Sequence, residues 1–250
     1  MKIYLLTSLI IAFAGFTQGL SGFGSVIITL PLLALFLNIK TVIPLAGLLS
    51  LCISLILTVQ LRHHLKRSAM FPLLIASVPG IPLGVYMLKT VDSRVLELLA
   101  GGILVLYSAW RFRGMKAEPS LKACWAYLAG FSAGCLGGST GTNGPPVIIY
   151  ASLQPWNKDE IKSTLAGYFF ITGIGISALH GLNGLITREV LNLSLIALPS
   201  LLLGVLAGSL CYRKVDTVSY RKALTVMLLI LGLIMLFKAV DLSAFRSLLS

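Results

Sequence analysis

Apolar residues run through this chain in long blocks separated by short polar turns. The first block, residues 3–37, would extend about 52 Å as one helix, against a hydrocarbon core of about 30 Å. It is too long for one straight span and short for two, so a break is expected at Gly19–Gly24. After the turn Asn38–Lys40, a span is predicted from about Thr41 to Gln60. The basic loop RHHLKR (62–67) follows, then a span over 69–88 kinked by Pro72, Pro79 and Pro82, a turn at Lys89–Arg94, and a span to Trp110. The second half follows the same plan. A long block over 123–153 leads into the turn PWNKDEIK (155–162) and spans at about 163–182, 190–211 and 219–239. The expected fold is an all-α polytopic membrane protein, each half a glycine-broken helical hairpin plus three spanning helices.

The second long block carries GFSAGCLGGSTGTNGPP, Gly130 to Pro146. Glycine at this density disfavours helix by roughly 1 kcal/mol per residue and permits positive φ. Pro145 and Pro146 lack N–H donors, so the helix should break there. Broken backbone at membrane depth is tolerated only where protein buries it or it lines a polar cavity, which makes it a candidate site. Gly15, Phe16, Gly19, Gly22 and Pro31 repeat the spacing of Gly130, Phe131, Gly134, Gly137 and Pro146, with Ser25 opposite Thr140. A second correspondence sets PGIPLGV (79–85) against PSLLLGV (199–205), Gly84 opposite Gly204. The chain therefore divides into a first transmembrane repeat over 1–113, a cytoplasmic linker over 114–121, and a second repeat with a short tail over 122–250.

Composition sharpens the class. Hydrophobic residues make up 57% and charged residues 11% of 250, and the mean hydropathy is +0.94. A soluble domain would need about twice that charge. The formal net charge of +12 sits in short loops, the distribution expected beside anionic lipid rather than nucleic acid. Cys52, Cys124, Cys135 and Cys211 show no CxxC spacing and read as small buried hydrophobes. Lys2, an apolar run and Ala12-Phe13-Ala14 resemble a signal peptide, but hydrophobicity continues to Leu37, so the segment is read as a retained helix.

Loop charge orients the repeats. Basic loops 62–67, 111–122 and 213–222 all fall on the cytoplasmic side when both long blocks are hairpins, and the bias then switches between halves. The repeats are accordingly expected to be inverted, an architecture of secondary transporters.

Enzymatic chemistry is not expected, because no acid, base, nucleophile or metal-ligand set converges, and no cofactor is implied. GLSGFG (19–24) lacks the strand and Gly-Lys-Ser/Thr of a phosphate loop. His63 and His64 read as solvated. Glu97 reads either as a local partner of Arg94, one turn away, or as a proton-coupling group. His180, near a span end, reads either as a satisfied interface histidine or as a group handling protons or substrate. Every Lys and Arg can be assigned to a loop or a span end, so an anion would be held by backbone N–H groups and neutral side chains.

The glycine motif over 130–146, its first-half partner and the two-repeat layout resemble the TauE/SafE family of sulfite exporters and permeases. The resemblance covers nearly the whole chain. Phe23 stands where that family often has a further glycine. It implies transport of small sulfur-containing anions (sulfite, thiosulfate, organosulfonates) across a bacterial inner membrane, a lipid setting with no nucleic-acid partner and compatible with proton coupling and self-association. The expected site lies near the midplane between Gly19–Ser25 and Gly137–Gly144. There Gly19, Gly22, Gly24, Gly137, Gly138 and Gly141 permit turns and close approach. Ser25, Ser139, Thr140 and Asn143 donate hydrogen bonds, with Gln18 a further donor. Pro31, Pro145 and Pro146 fix where helices restart. The alternative is a non-transporting assembly or scaffold protein whose glycines serve helix packing alone.

Overall fold

The computed structural model describes residues 2–90, 93–113, 121–122, 124–140 and 143–247. Among these it is all-helical: α1 (Lys2–Ser21), α2 (Ser25–Leu33), α3 (Ile39–Gln60), α4 (Arg67–Thr90), α5 (Ser93–Phe112), α6 (Cys124–Thr140), α7 (Gly144–Leu153), α8 (Lys158–Leu182), α9 (Arg188–Arg213) and α10 (Thr217–Ser247). Five described segments are long and apolar enough to cross a membrane: Tyr4–Ser21, Lys40–Gln60, Lys158–Leu182, Arg188–Arg213 and Thr217–Phe237. Large apolar side chains face outward throughout, among them Leu9, Phe13, Leu35 and Leu182, as a lipid-facing surface requires. At 9 and 10 residues, α2 and α7 reach only about half of a bilayer core. Each long block is thus one full helix followed by a half-length one.

Two compact units cut across the sequence halves: residues 1–66 with 158–216, and residues 67–157 with 217–250. The linker residues 114–120 lie outside the described set. In the first unit, α1, α2, α3, α8 and α9 enclose a core that includes Ile11, Leu33, Leu45, Ile53, Ala166, Val190 and Leu201. In the second, α6 packs along α4 and α5 along α10.

Glycines bring α1 and α9 into backbone contact. A Cβ at Gly19 would lie 2.6 Å from the Val205 carbonyl oxygen, and Cβ atoms at Gly204 and Gly208 would strike the carbonyls of Ala12 and Phe16. In the second unit, Gly130 and Gly134 of α6 sit on the carbonyls of Leu73 and Ser77, while Gly80 and Gly84 of α4 sit on those of Phe131 and Cys135. Both pairs run parallel, and both use small residues to let helix backbones meet. The matched contacts correct one sequence correspondence. Gly80 meets Phe131 as Gly208 meets Phe16, so Gly80 and not Gly84 takes the place of an α9 glycine at that level, and the Pro79/Pro199 match is out of register.

In the first unit α3 and α8 pack antiparallel. Leu51 meets Gly173, Gly47 lies beside His180, and the Ser163 hydroxyl donates to the Leu61 carbonyl at 2.8 Å. The C-terminal ends of α3 and α9 therefore both lie beside the N-terminal end of α8. The beginning of α8 at Lys158 also corrects the expected turn over 155–162, because its last five residues are helical.

Candidate functional site

The first break falls at Gly22–Gly24, between α1 and α2. Gly22 has φ 87° and Gly24 has φ 99°, a left-handed region that other residues enter only at a cost of about 1–2 kcal/mol. The Ser21 hydroxyl closes the turn. It lies 2.7 Å from the carbonyls of Thr17 and Phe23 and accepts the Phe23 N–H at 3.3 Å. Phe23 is buried. α2 starts at Ser25, so Pro31 lies inside it and does not mark where the helix restarts. Gly24 is the N-cap and gives no side-chain cap. The first N–H groups of α2 are left without intrahelical acceptors, at a helix end carrying about half a positive charge.

Of the residues expected here, Gln18 and Ser25 are brought together. Both are buried, and the Ser25 hydroxyl donates to Gln18 Oε1. The Gln18 amide donates to Ser54 Oγ at 3.0 Å, and Ser50 reaches Gln18 Oε1 at 3.4 Å. Ser50 and Ser54, on α3, were not anticipated; their spacing of four residues on an otherwise apolar helix is the signal that would have found them. Gly19 belongs to α1, packed on α9. By helix register the break lies toward the C-terminal ends of α3 and α9.

A cation also closes this break. Lys162 of α8 is 1% exposed, and its ammonium donates to the Gly19 carbonyl at the end of α1. It also lies 3.7 Å from the centroid of the Tyr212 ring. A Cβ on Gly22 would come within 3.0 Å of Lys162 Cγ, so the lysine stem packs directly on the left-handed turn. Lys162 falls in the polar run PWNKDEIK, which reads as a turn from sequence alone; burial follows because α8 starts early and turns this face inward. Around it, Lys158 donates to the carbonyls of Tyr212, Arg213 and Val215 at 3.2, 3.4 and 2.6 Å, and the Tyr212 hydroxyl donates to Asp159 at 2.7 Å. Lys66 pairs with Glu160 at 2.6 Å. His180 is 18 residues from Lys162 along α8, about 27 Å, and is not part of this cluster.

The second break separates α6 from α7. Gly141 and Thr142 lie outside the described residues, as do the side chains of Ser139 and Thr140. Gly137 and Gly138 belong to the last turn of α6, and a Cβ on Gly137 would lie 3.1 Å from Asn143 Cβ. Asn143 is the N-cap of α7 and gives no side-chain cap, and Pro145 and Pro146 occupy the first turn. They remove two of the four N–H groups a helix start leaves open, so α7 offers fewer backbone donors than α2. At its other end, Arg221 of α10 donates to the carbonyls of Ser152, Gln154 and Trp156.

Full-length helices followed by half-length ones are an architecture that polytopic membrane transporters use. The family described as Sulfite exporter TauE/SafE matches residues 7–235. The chain belongs to this family of membrane transporters. No curated protein and no solved structure matches it.

The left-handed turn can be tested by stability. Gly24→Ala should lower stability of the detergent-purified protein by about 1–2 kcal/mol, because φ 99° is closed to it. Gly102→Ala, where a Cβ meets nothing within 4 Å, should raise stability by up to about 1 kcal/mol. Thermal unfolding of both variants checks the difference in sign.

Proposed function

We propose that the protein is a secondary transporter carrying small sulfur-containing oxyanions, with sulfite, thiosulfate and organosulfonates as the substrate class, across a bacterial inner membrane. The observation that carries this reading is the pair of positive φ values at Gly22 and Gly24. Close helix packing explains Gly15, Gly19, Gly130 and Gly134. It does not explain a left-handed turn that ends one helix within an apolar block and presents the start of another. A scaffold protein needs the first set of glycines and has no use for the second.

Anion recognition is assigned to the breaks. At the first, the open N–H groups of α2 supply donors, and Ser25 supplies a further one when it releases Gln18. At the second, Ser139, Thr140 and Asn143 compensate for donors lost to Pro145 and Pro146. Gly137, Gly138 and Gly141 keep that turn free of side chains. The N–H and hydroxyl donors net about 0.5–1.5 kcal/mol each. Purified protein in proteoliposomes should release trapped sulfite faster than protein-free vesicles, and Gly24→Leu should insert but not conduct. Wild-type vesicles as tight as protein-free ones to every sulfur oxyanion would favour the scaffold reading.

The repeats are proposed to be inverted. Antiparallel α3 and α8, the third helices of the two halves, support this, as do the matched glycine contacts of α1 with α9 and α6 with α4. In a background without native cysteines, single cysteines at His64 and Val218 should be shielded from an impermeant thiol reagent in intact cells, while one at Asn183 labels. Labelling of positions 64 and 183 from the same side would contradict the inversion.

A further inference from the structure

We propose that Lys162 is the counter-charge for the transported anion at the first break, resting on the Gly19 carbonyl and the Tyr212 ring until an anion takes it over. This deepens the transport reading above and rests on it. Ionisable side chains inside a membrane protein are costly and mark functional sites unless they are paired. The neighbouring cations are satisfied: Lys158 reaches three carbonyls and Lys66 a carboxylate. Lys162 has one carbonyl and one ring, and among the described residues no carboxylate within ion-pair distance. The nearest acid on its own helix, Asp159, is engaged by the Tyr212 hydroxyl. A buried ammonium whose direct contacts are a carbonyl and a ring gains Coulomb attraction from meeting an anion.

Position supports the assignment. The Lys162 stem touches Gly22, so the ammonium is carried on the same turn that opens the α2 N-terminus. On Gly19 it also neutralises the carbonyl end of α1, which would otherwise repel an anion approaching that turn. A pocket of about 90 Å³ shares two neighbours with it and is lined by Gln60, Ser209, Tyr212 and Arg213 together with two leucines. Ser209 lies 3.5 Å from the same Gly19 carbonyl, and the Tyr212 ring is the one Lys162 faces. An anion in this pocket would thus meet Arg213, Ser209 and Tyr212, the last two of which also neighbour the Gly19 carbonyl and the Lys162 ammonium.

The test is anion binding by the purified full chain, read by titration and by ligand-induced thermal shift. Wild type should bind sulfite and methanesulfonate. Lys162→Met keeps the stem packing and removes the charge; it should match or exceed wild type in unliganded thermal stability, yet bind about 30-fold more weakly. Lys162→Arg, which keeps the charge, should bind more tightly than the Met variant. A merely structural cap predicts the reverse: lower unliganded stability in the Met variant with the ligand-induced shift intact, and that result would overturn the proposal. Should Lys162→Met fail to fold, wild type alone decides. A counter-charge predicts that methanesulfonate outcompetes neutral methanesulfonamide by about 30-fold or more, and equal binding of the two would overturn it. Absence of binding to any sulfur oxyanion by wild type would overturn the transport reading itself, and this inference with it.

Discussion

A helix end in a membrane protein leaves carbonyl and amide groups that lipid cannot satisfy. This constraint organises the protein. The carbonyl end of α1 is closed by Lys162, that of α9 by Lys158, and the chain leaving α7 by Arg221. Each cation comes from the first two turns of another helix, α8 or α10. The excess of basic residues therefore has two causes. Some lie in loops, as orientation by lipid charge expects, and others cap helix ends, where a cation meets the negative end of a helix dipole. Amide ends are treated differently: α2 and α7 both begin without a side-chain cap.

Backbone contact between α1 and α9, and between α6 and α4, makes these breaks possible. A broken helix has less of its own hydrogen bonding to hold it in place, so its intact part must be anchored firmly. Glycine faces do this by letting carbonyls of one helix sit against α-carbons of the other. The Gly22–Gly24 turn follows directly from the anchored end of α1, with Lys162 packed on it from α8. The same side chain that caps α1 thereby props the turn, so the start of α2 is presented by a supported structure.

Much of this was legible in the sequence. Block lengths located the long helices, because hydrophobic length is set by bilayer thickness, and glycine spacing located both breaks. Three features were not legible, for physical reasons. The burial of Lys162 depends on where α8 begins, and a charged residue four positions inside a helix looks the same as one in a turn. The correspondence between α4 and α9 was misjudged because Pro79 and Pro199 dominate a short match, whereas the glycines that make contact are Gly80 and Gly208. Ser50 and Ser54 were overlooked because isolated hydroxyls are common in spans, and only their meeting with Gln18 distinguishes them.

The central claim is that the supported left-handed turn between α1 and α2 is where the anion binds. The most direct measurement is the position of selenite, a heavier analogue of sulfite, located by selenium anomalous scattering in crystals of the protein. A selenium peak within hydrogen-bonding range of the α2 N-terminal amides and of Lys162 Nζ, with Lys162 withdrawn from the Gly19 carbonyl, is the predicted result. Selenite bound elsewhere, with Lys162 still on Gly19 and the turn empty, would contradict the account.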